Sequence, residues 1–397
     1  LREPLTPASP WVPGGLPAPF PRIEALAPAA VLRADGVPLP RGPRTVVVAG
    51  DGAGPAARTL SERAGWPLLA EPTSGARSGP SAVGTYRLLL DVPEFAGAVQ
   101  RVVLLGHPTL SRPVSRLLAR ADVEVVVVAP GGAAWTDVEG AASRVTAAVH
   151  LDDDGGPTAG ERAWLERWLL ADGAARAVLD AHLAEVPPDG LAVARAVAEA
   201  SGAGGARTLV VGASNPVRDL DLTTEPRPAP ARVVANRGLA GIDGTLSTAA
   251  GVALASGAPV RALVGDLTFL HDVGGLACGP LEVEPDLQVV VVNDDGGGIF
   301  ATLEHGAPDR AGTFERVFGT PQGVDLAALC AGFGVPHERV TDLDGLRAAL
   351  ARPVRGRSVV EVPVDRAGLR ARRESVRTGV RDAVRATVGW PDPGLRP

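Results

Sequence analysis

The chain has 397 residues, a length that suggests two or three domains, and 45% of them are hydrophobic against 21% charged, enough to bury sizeable cores. A formal net charge of −6 argues against a general nucleic-acid binder, which would show a basic face. All 39 basic residues are arginine, so a lysine Schiff base with pyridoxal phosphate and a Walker-type phosphate loop are both excluded.

Residues 1–30 are rich in Pro and Ala and read as a linker entered from an upstream domain. The chain has no methionine, and Leu1 suits neither a start nor a trimmed end, so a longer natural chain is expected. From Arg44, "RTVVVAGDGAG" reads as a strand and a glycine turn, followed by strands at 102–105 and 123–128 and a helix at 111–120. A helix at 160–185 precedes "VPPDG" (186–190), which looks like a domain boundary. Beyond it the pattern predicts helices at 191–201, 325–333 and 344–351, with strands at 208–212, 232–235, 262–264, 288–292 and 358–362. The tail, 366–387, has apolar residues at helical spacing among many arginines and reads as a solvated surface helix.

Strands alternating with helices predict an α/β protein with two doubly wound parallel sheets. The expected divisions are a linker (1–30), a central Rossmann-like domain (31–186) and a diphosphate-binding domain (187–397). "GDGAG" (50–54) lacks the full dinucleotide fingerprint and reads as structural. The six histidines show no metal-ligand spacing. Cys278 and Cys330 are too few for a disulfide framework and read as packed thiols. No apolar run is long enough to span a membrane and no signal peptide is visible, so the expected location is cytoplasmic.

Two stretches carry chemistry. "VGDLTFLHD" (264–272) and "VNDDGGGIF" (292–300) each place Gly or Asn beside Asp directly after an apolar strand. Asp294 follows Asp266 by 28 residues, room for a single βαβ step. Such a step brings both strand ends to one edge of a parallel sheet, where ligands bind. Converging carboxylate and amide oxygens suit a hard divalent cation, and Mg²⁺ takes one or two carboxylates plus phosphate oxygens. The glycines let backbone N–H groups approach a phosphate. The pair therefore reads as a Mg²⁺-diphosphate cradle.

This pair resembles the thiamin-diphosphate motif of the decarboxylase-like enzymes. Together with "SNPVRDLDL" (214–222) and "ANRGLAGIDGTLSTAAG" (235–251), it resembles more narrowly the 2-succinyl-5-enolpyruvyl-6-hydroxy-3-cyclohexene-1-carboxylate synthases of menaquinone biosynthesis. The likeness is close over 210–365 and looser in the central region, where "GHPTLSRPVSRLL" (106–118) carries it. The resemblance implies a transferase that uses thiamin diphosphate and Mg²⁺ to decarboxylate 2-oxoglutarate and join the product to isochorismate. It implies Mg²⁺ bound by Asp266, Asp294 and the Gly296 carbonyl, with Asn293 open as an alternative to Asp294. Gly265, Leu267 and Gly297 would complete the cofactor cradle, and Ile242 would prop the bent cofactor. Ser214, Arg218 and Arg237 match substrate-binding positions, Ile299, Phe300 and Leu303 an apolar wall, and Arg112 lies near a basic substrate contact.

Arginine forks suit carboxylate substrates, and an apolar wall favours loss of charge as carbon dioxide leaves. The family also implies an activating glutamate on a preceding pyrimidine-binding domain, donated across a homodimer or homotetramer. No residue of this chain matches it, so little or no turnover is expected from these residues alone. An acetolactate-synthase-like enzyme and a non-catalytic diphosphate-binding protein are the alternatives.

Overall fold

The computed structural model describes residues 30–130, 135–137, 140–152, 155–185, 188–202, 206–226 and 231–389. The expected linker lies outside them but for residue 30, and the "VPPDG" boundary is described only from residue 188.

Thirteen strands are seen among the described residues. They are β1 (Leu32–Leu39), β2 (Thr45–Ala49), β3 (Leu68–Ala70), β4 (Arg101–Leu105), β5 (Glu124–Val128), β6 (Arg144–Thr146), β7 (Val149–Leu151), β8 (Thr208–Val211), β9 (Arg232–Val234), β10 (Val260–Gly265), β11 (Leu287–Asn293), β12 (His337–Arg339) and β13 (Arg357–Pro363). They form three sheets. A five-stranded sheet has the order β3-β2-β4-β5-β6, a six-stranded sheet the order β12-β13-β11-β10-β8-β9, and β1 pairs with β7. Every pairing is parallel, as the alternation of strands and helices requires.

The strand runs are continuously apolar because both faces of each large sheet are covered. In β2, Val46 and Val48 enter one core while Val47 and Ala49 enter another. In the six-stranded sheet, Leu209, Leu263 and Val290 face one layer, and Val210, Ala262, Val264, Val289 and Val291 face the opposite one. Cys330 packs in the latter core, as expected of a structural thiol, whereas Cys278 is only half-buried.

The tail departs from its expected solvated state. The helix Leu369–Val388 buries Leu369, Val376, Val380 and Val384. The last three join the core that holds Trp164 and Trp168 of the long helix Ala159–Glu185. Its arginines occupy the other faces, which is why composition alone suggested a solvated helix.

A buried polar knot ties the two large sheets together. The Asp221 carboxylate accepts from Arg77 at 3.2 Å, from the Tyr86 hydroxyl at 3.1 Å and from Arg87 at 3.2 Å. Arg77 also donates to the carbonyls of Ala70, Gly84 and Asp221. A fully buried carboxylate is tolerated only with such pairing.

Candidate active site at the six-stranded sheet edge

From β8 the chain runs outward to β9 and then returns to β10 on the other side of β8. This reversal opens a crevice at the C-terminal ends of β8 and β10, the place where ligands bind in open parallel sheets. A cavity of about 310 Å³ lies there. Ser214, Arg218, Arg237, Ile242, Gly265, Asp266, Leu267, Asp294, Gly296, Gly297, Ile299 and Phe300 all line it. Residues from four separate stretches of sequence thus converge on one space.

Asp266 opens the helix Asp266–His271 directly after β10 and is buried. Burial pushes its carboxyl up to about 6, against the stabilising N–H groups of Leu267 and Gly296. Asp294 follows β11. Burial pushes it up to about 7, and the Asp266 carboxyl beside it adds a like charge and a hydrogen bond. A Cβ on Gly298 would collide with the Asp294 carboxylate, and one on Gly296 with the Gly319 carbonyl and Arg366. Gly296 also has φ +140, a conformation that side chains avoid.

Asn293 stands apart from this cavity. Its amide donates to Glu361 of β13 at 2.8 Å, and its oxygen accepts from the Asp295 N–H at 3.0 Å. It fastens the strand end to its neighbour, while Asp294 meets Asp266.

Two adjacent carboxyl groups, one buried and one half-buried, are costly unless they share a proton or a cation. Their oxygens are donors of the kind a hard divalent ion takes, while the Gly296 carbonyl, the third expected ligand, accepts from the Gly298 N–H at 3.0 Å. No cluster of three or more His, Cys, Asp or Glu suited to a metal occurs among the described residues, so phosphate oxygens would have to complete the shell. The glycine-lined space beside the carboxyls leaves room for them. The residues present therefore fit a metal-bound diphosphate.

Ser214, three residues beyond β8, has φ +75 and immediately precedes the helix Asn215–Thr223. A non-glycine residue held there carries strain, which clusters at functional sites. Its carbonyl accepts from Arg218 at 2.8 Å. No carboxylate pairs with Arg218 among the described residues. Burial, then the charges of Arg87 and Arg237, lower its guanidinium to about 10. Arg237 is buried and donates to the Thr109 hydroxyl at 2.9 Å and carbonyl at 3.2 Å. Thr109 and Leu110 in turn donate their N–H groups to Glu71, whose carboxyl burial raises to about 7. The loop after β4 is thereby brought to the site.

Leu303 lies in an adjoining cavity of about 480 Å³ with Arg112, Arg116 and Glu304. The two cavities share Asn215, Arg218, Asp219, Ile299 and Arg373. Arg112 is exposed there and bridges Glu304 at 2.6 Å. The sequence reading missed Arg366 and Arg373, which also line the first cavity. Arg366 follows β13 at the same sheet edge, so the rule that strand ends line the crevice was the signal available. Arg373 lies on the tail helix and bonds Asp219 at 2.6 Å.

Residues 222–362 match the family described as thiamine pyrophosphate enzyme, C-terminal TPP binding domain. The chain is 55% identical over 396 residues to the 2-succinyl-5-enolpyruvyl-6-hydroxy-3-cyclohexene-1-carboxylate synthase of Kineococcus radiotolerans, covering 96% of this chain and 68% of that protein. This chain belongs to that synthase family. The synthase of Nocardioides sp. is 53% identical, covering 95% of this chain and 70% of that protein. That of Renibacterium salmoninarum is 48% identical, covering 86% and 61%. Among solved structures, benzoylformate decarboxylase from Polynucleobacter necessarius superposes with a TM-score of 0.50 at 16% identity, over 81% of this chain and 62% of that one, a likeness of fold. The chain thus spans about six to seven tenths of the relatives it matches. Family membership sets aside the acetolactate-synthase-like alternative.

Proposed function

We infer that the chain carries the diphosphate-binding half of a thiamin-diphosphate- and Mg²⁺-dependent centre. There 2-oxoglutarate is decarboxylated and its four-carbon remainder is added to isochorismate. The observation that carries this reading is the meeting of the buried Asp266 and the half-buried Asp294 in one cavity at the ends of neighbouring strands, faced by glycines. In this reading Asp266, Asp294 and the Gly296 carbonyl hold Mg²⁺, and Asn293 serves as a structural tether. Residues 31–186 act as a central domain and 187–397 as the diphosphate-binding domain.

When bound, thiamin diphosphate supplies the electron sink for breaking the bond to the departing carboxylate. The chain's own residues do the rest. Arg218 has no carboxylate of its own among the described residues, so its charge is available to a substrate carboxylate. Arg237 adds a second positive charge on the wall and is held by Thr109. Ile242, Ile299 and Phe300 give the cavity an apolar side that excludes water from the reacting carbon.

The glutamate that activates the cofactor belongs, in this proposal, to a pyrimidine-binding domain, joined through a homodimer or homotetramer in the cytoplasm. No helix among the described residues is long and apolar enough to cross a membrane. Calorimetric titration with thiamin diphosphate and Mg²⁺ tests the reading. Micromolar or tighter binding that needs Mg²⁺ is expected, together with product formation from both substrates once the pyrimidine-binding domain is supplied. Cofactor binding without turnover in that assembly would favour a binding-only role, and no binding at all would overturn the assignment.

A further inference from the structure

We propose that Arg366 is a positioning residue for the cofactor cradle, fixing the peptide between Asp295 and Gly296 beside Asp294; this rests on the cofactor reading above. Three observations carry it. First, the Arg366 guanidinium donates to the Asp295 carbonyl at 2.9 Å, and the same nitrogen reaches the Gly319 carbonyl at 3.3 Å. Its other terminal nitrogen pairs with Glu315 at 2.5 Å. Second, the turn that this peptide opens lies against the carboxyls: Gly296 and Gly297 line the cavity with Asp266 and Asp294, and a Cβ on the next residue, Gly298, would collide with the Asp294 carboxylate.

Third, the peptide sits where the backbone is strained. Asp295 has φ +49 and Gly296 has φ +140. Such conformations persist only where the surroundings over-determine them. Here a second loop wraps the first. Gly319 accepts from the Gly297 N–H at 2.7 Å, and the Asp295 carboxylate accepts from Gln322 and Gly323 at 3.0 and 2.9 Å. Asp295 is therefore a tether to residues 322–323. Arg366 is the cation at the crossing of these two loops, and its side chain is mostly buried.

Neutral donors could hold the loops. A fixed positive charge does more, because it draws the Asp295 and Gly319 carbonyls onto one nitrogen and so fixes the course of the turn that lines the cavity after Asp294. Loss of Arg366 frees that peptide to rotate, and the cradle must then be reordered at the moment the cofactor binds.

The test is titration of thiamin diphosphate into the intact protein at several Mg²⁺ concentrations, by calorimetry, for wild type, Arg366→Gln and Arg366→Lys. Arg366→Gln is expected to weaken cofactor binding roughly ten- to a hundredfold, the usual scale for a lost charge-assisted contact, and to raise the Mg²⁺ needed for half-saturation. Arg366→Lys keeps the charge but cannot span both carbonyls and Glu315, so it should fall between the two. Should Arg366→Gln fail to fold, Arg366→Lys carries the comparison. Affinity and Mg²⁺ dependence equal to wild type in the folded variants overturn the proposal. Equal weakening by both variants, in step with a lowered Tm, also overturns it, because that marks a merely structural role. A wild-type protein that binds no cofactor overturns the functional reading itself, whereas intact wild-type binding with an unaffected variant removes this inference alone.

Discussion

Both large sheets reverse direction at a pair of neighbouring strands, β8 and β10 in one, β2 and β4 in the other. Both place a glycine-containing turn at that point. Only one of the two edges is open. After β2 and β4, Asp51 and His107 exchange backbone hydrogen bonds at 2.9 Å in each direction, and the Gly50 N–H bonds the Leu105 carbonyl at 2.9 Å. The two turns close on each other and satisfy their own polar groups. After β8 and β10 the turns diverge, and two carboxyls and a guanidinium are left facing a cavity. A sheet edge becomes a site when the turns beyond it diverge and leave charged side chains facing open space, and topology alone does not decide that.

The comparison can be broken most directly at the open edge. Asp266→Ala should reduce Mg²⁺-dependent thiamin diphosphate binding by about a hundredfold or more, since a hard-cation site loses one of two carboxylates; calorimetry reads this, and near-normal affinity would place the metal elsewhere. Between the edges, Asp221→Ala leaves Arg77 buried without its partner and should destabilise the fold by about 3–5 kcal/mol in denaturant unfolding. A change below about 1 kcal/mol would show that the knot is dispensable.

Arg218→Gln should raise the KM for a dicarboxylate substrate roughly ten- to a hundredfold with cofactor affinity preserved. The same loss for the cofactor would mean that Arg218 serves the diphosphate. Acidity offers a gentler probe. Asp266 and Asp294 hold protons up to about 6 and about 7. Folded values above the unfolded ones mean that the metal-free protein gives up stability as pH rises from the ordinary carboxylate range through 7. Cofactor binding, which needs both groups charged, should strengthen over that same rise, and affinity independent of pH between 5.5 and 7.5 would contradict it. The smallest effect is expected at the closed edge. Asp51→Ala should change cofactor affinity by less than about twofold, because its backbone, and not its carboxylate, seals the turn.

The open edge was legible because Gly-Asp and Asn-Asp each follow an apolar strand at one βαβ spacing. The closed edge was legible through what "GDGAG" lacks. Other features were hidden for physical reasons. Sequence alone left Asn293 and Asp294 as alternative ligands, because both are oxygen-bearing side chains at the end of one strand; the structure bonds Asn293 to Glu361, a contact that sequence could not reveal. Short strands such as Leu68–Ala70 and Arg144–Thr146 carry too few residues for a period to register. Arg373 was lost in a run of arginines that looked solvated. Only the packing of Val376, Val380 and Val384 on the Ala159–Glu185 helix shows which face of the tail turns inward.

That tail has a consequence for how the protein is made. The strands that hold Asp266 and Asp294 leave the ribosome well before the helix Leu369–Val388, which brings Arg373 to the pocket wall and covers Trp164 and Trp168. During synthesis the carboxylate pair therefore exists for a time with Arg218 and Arg237 but without Arg373. The growing chain has an exposed apolar face on the Ala159–Glu185 helix until the helix Leu369–Val388 emerges.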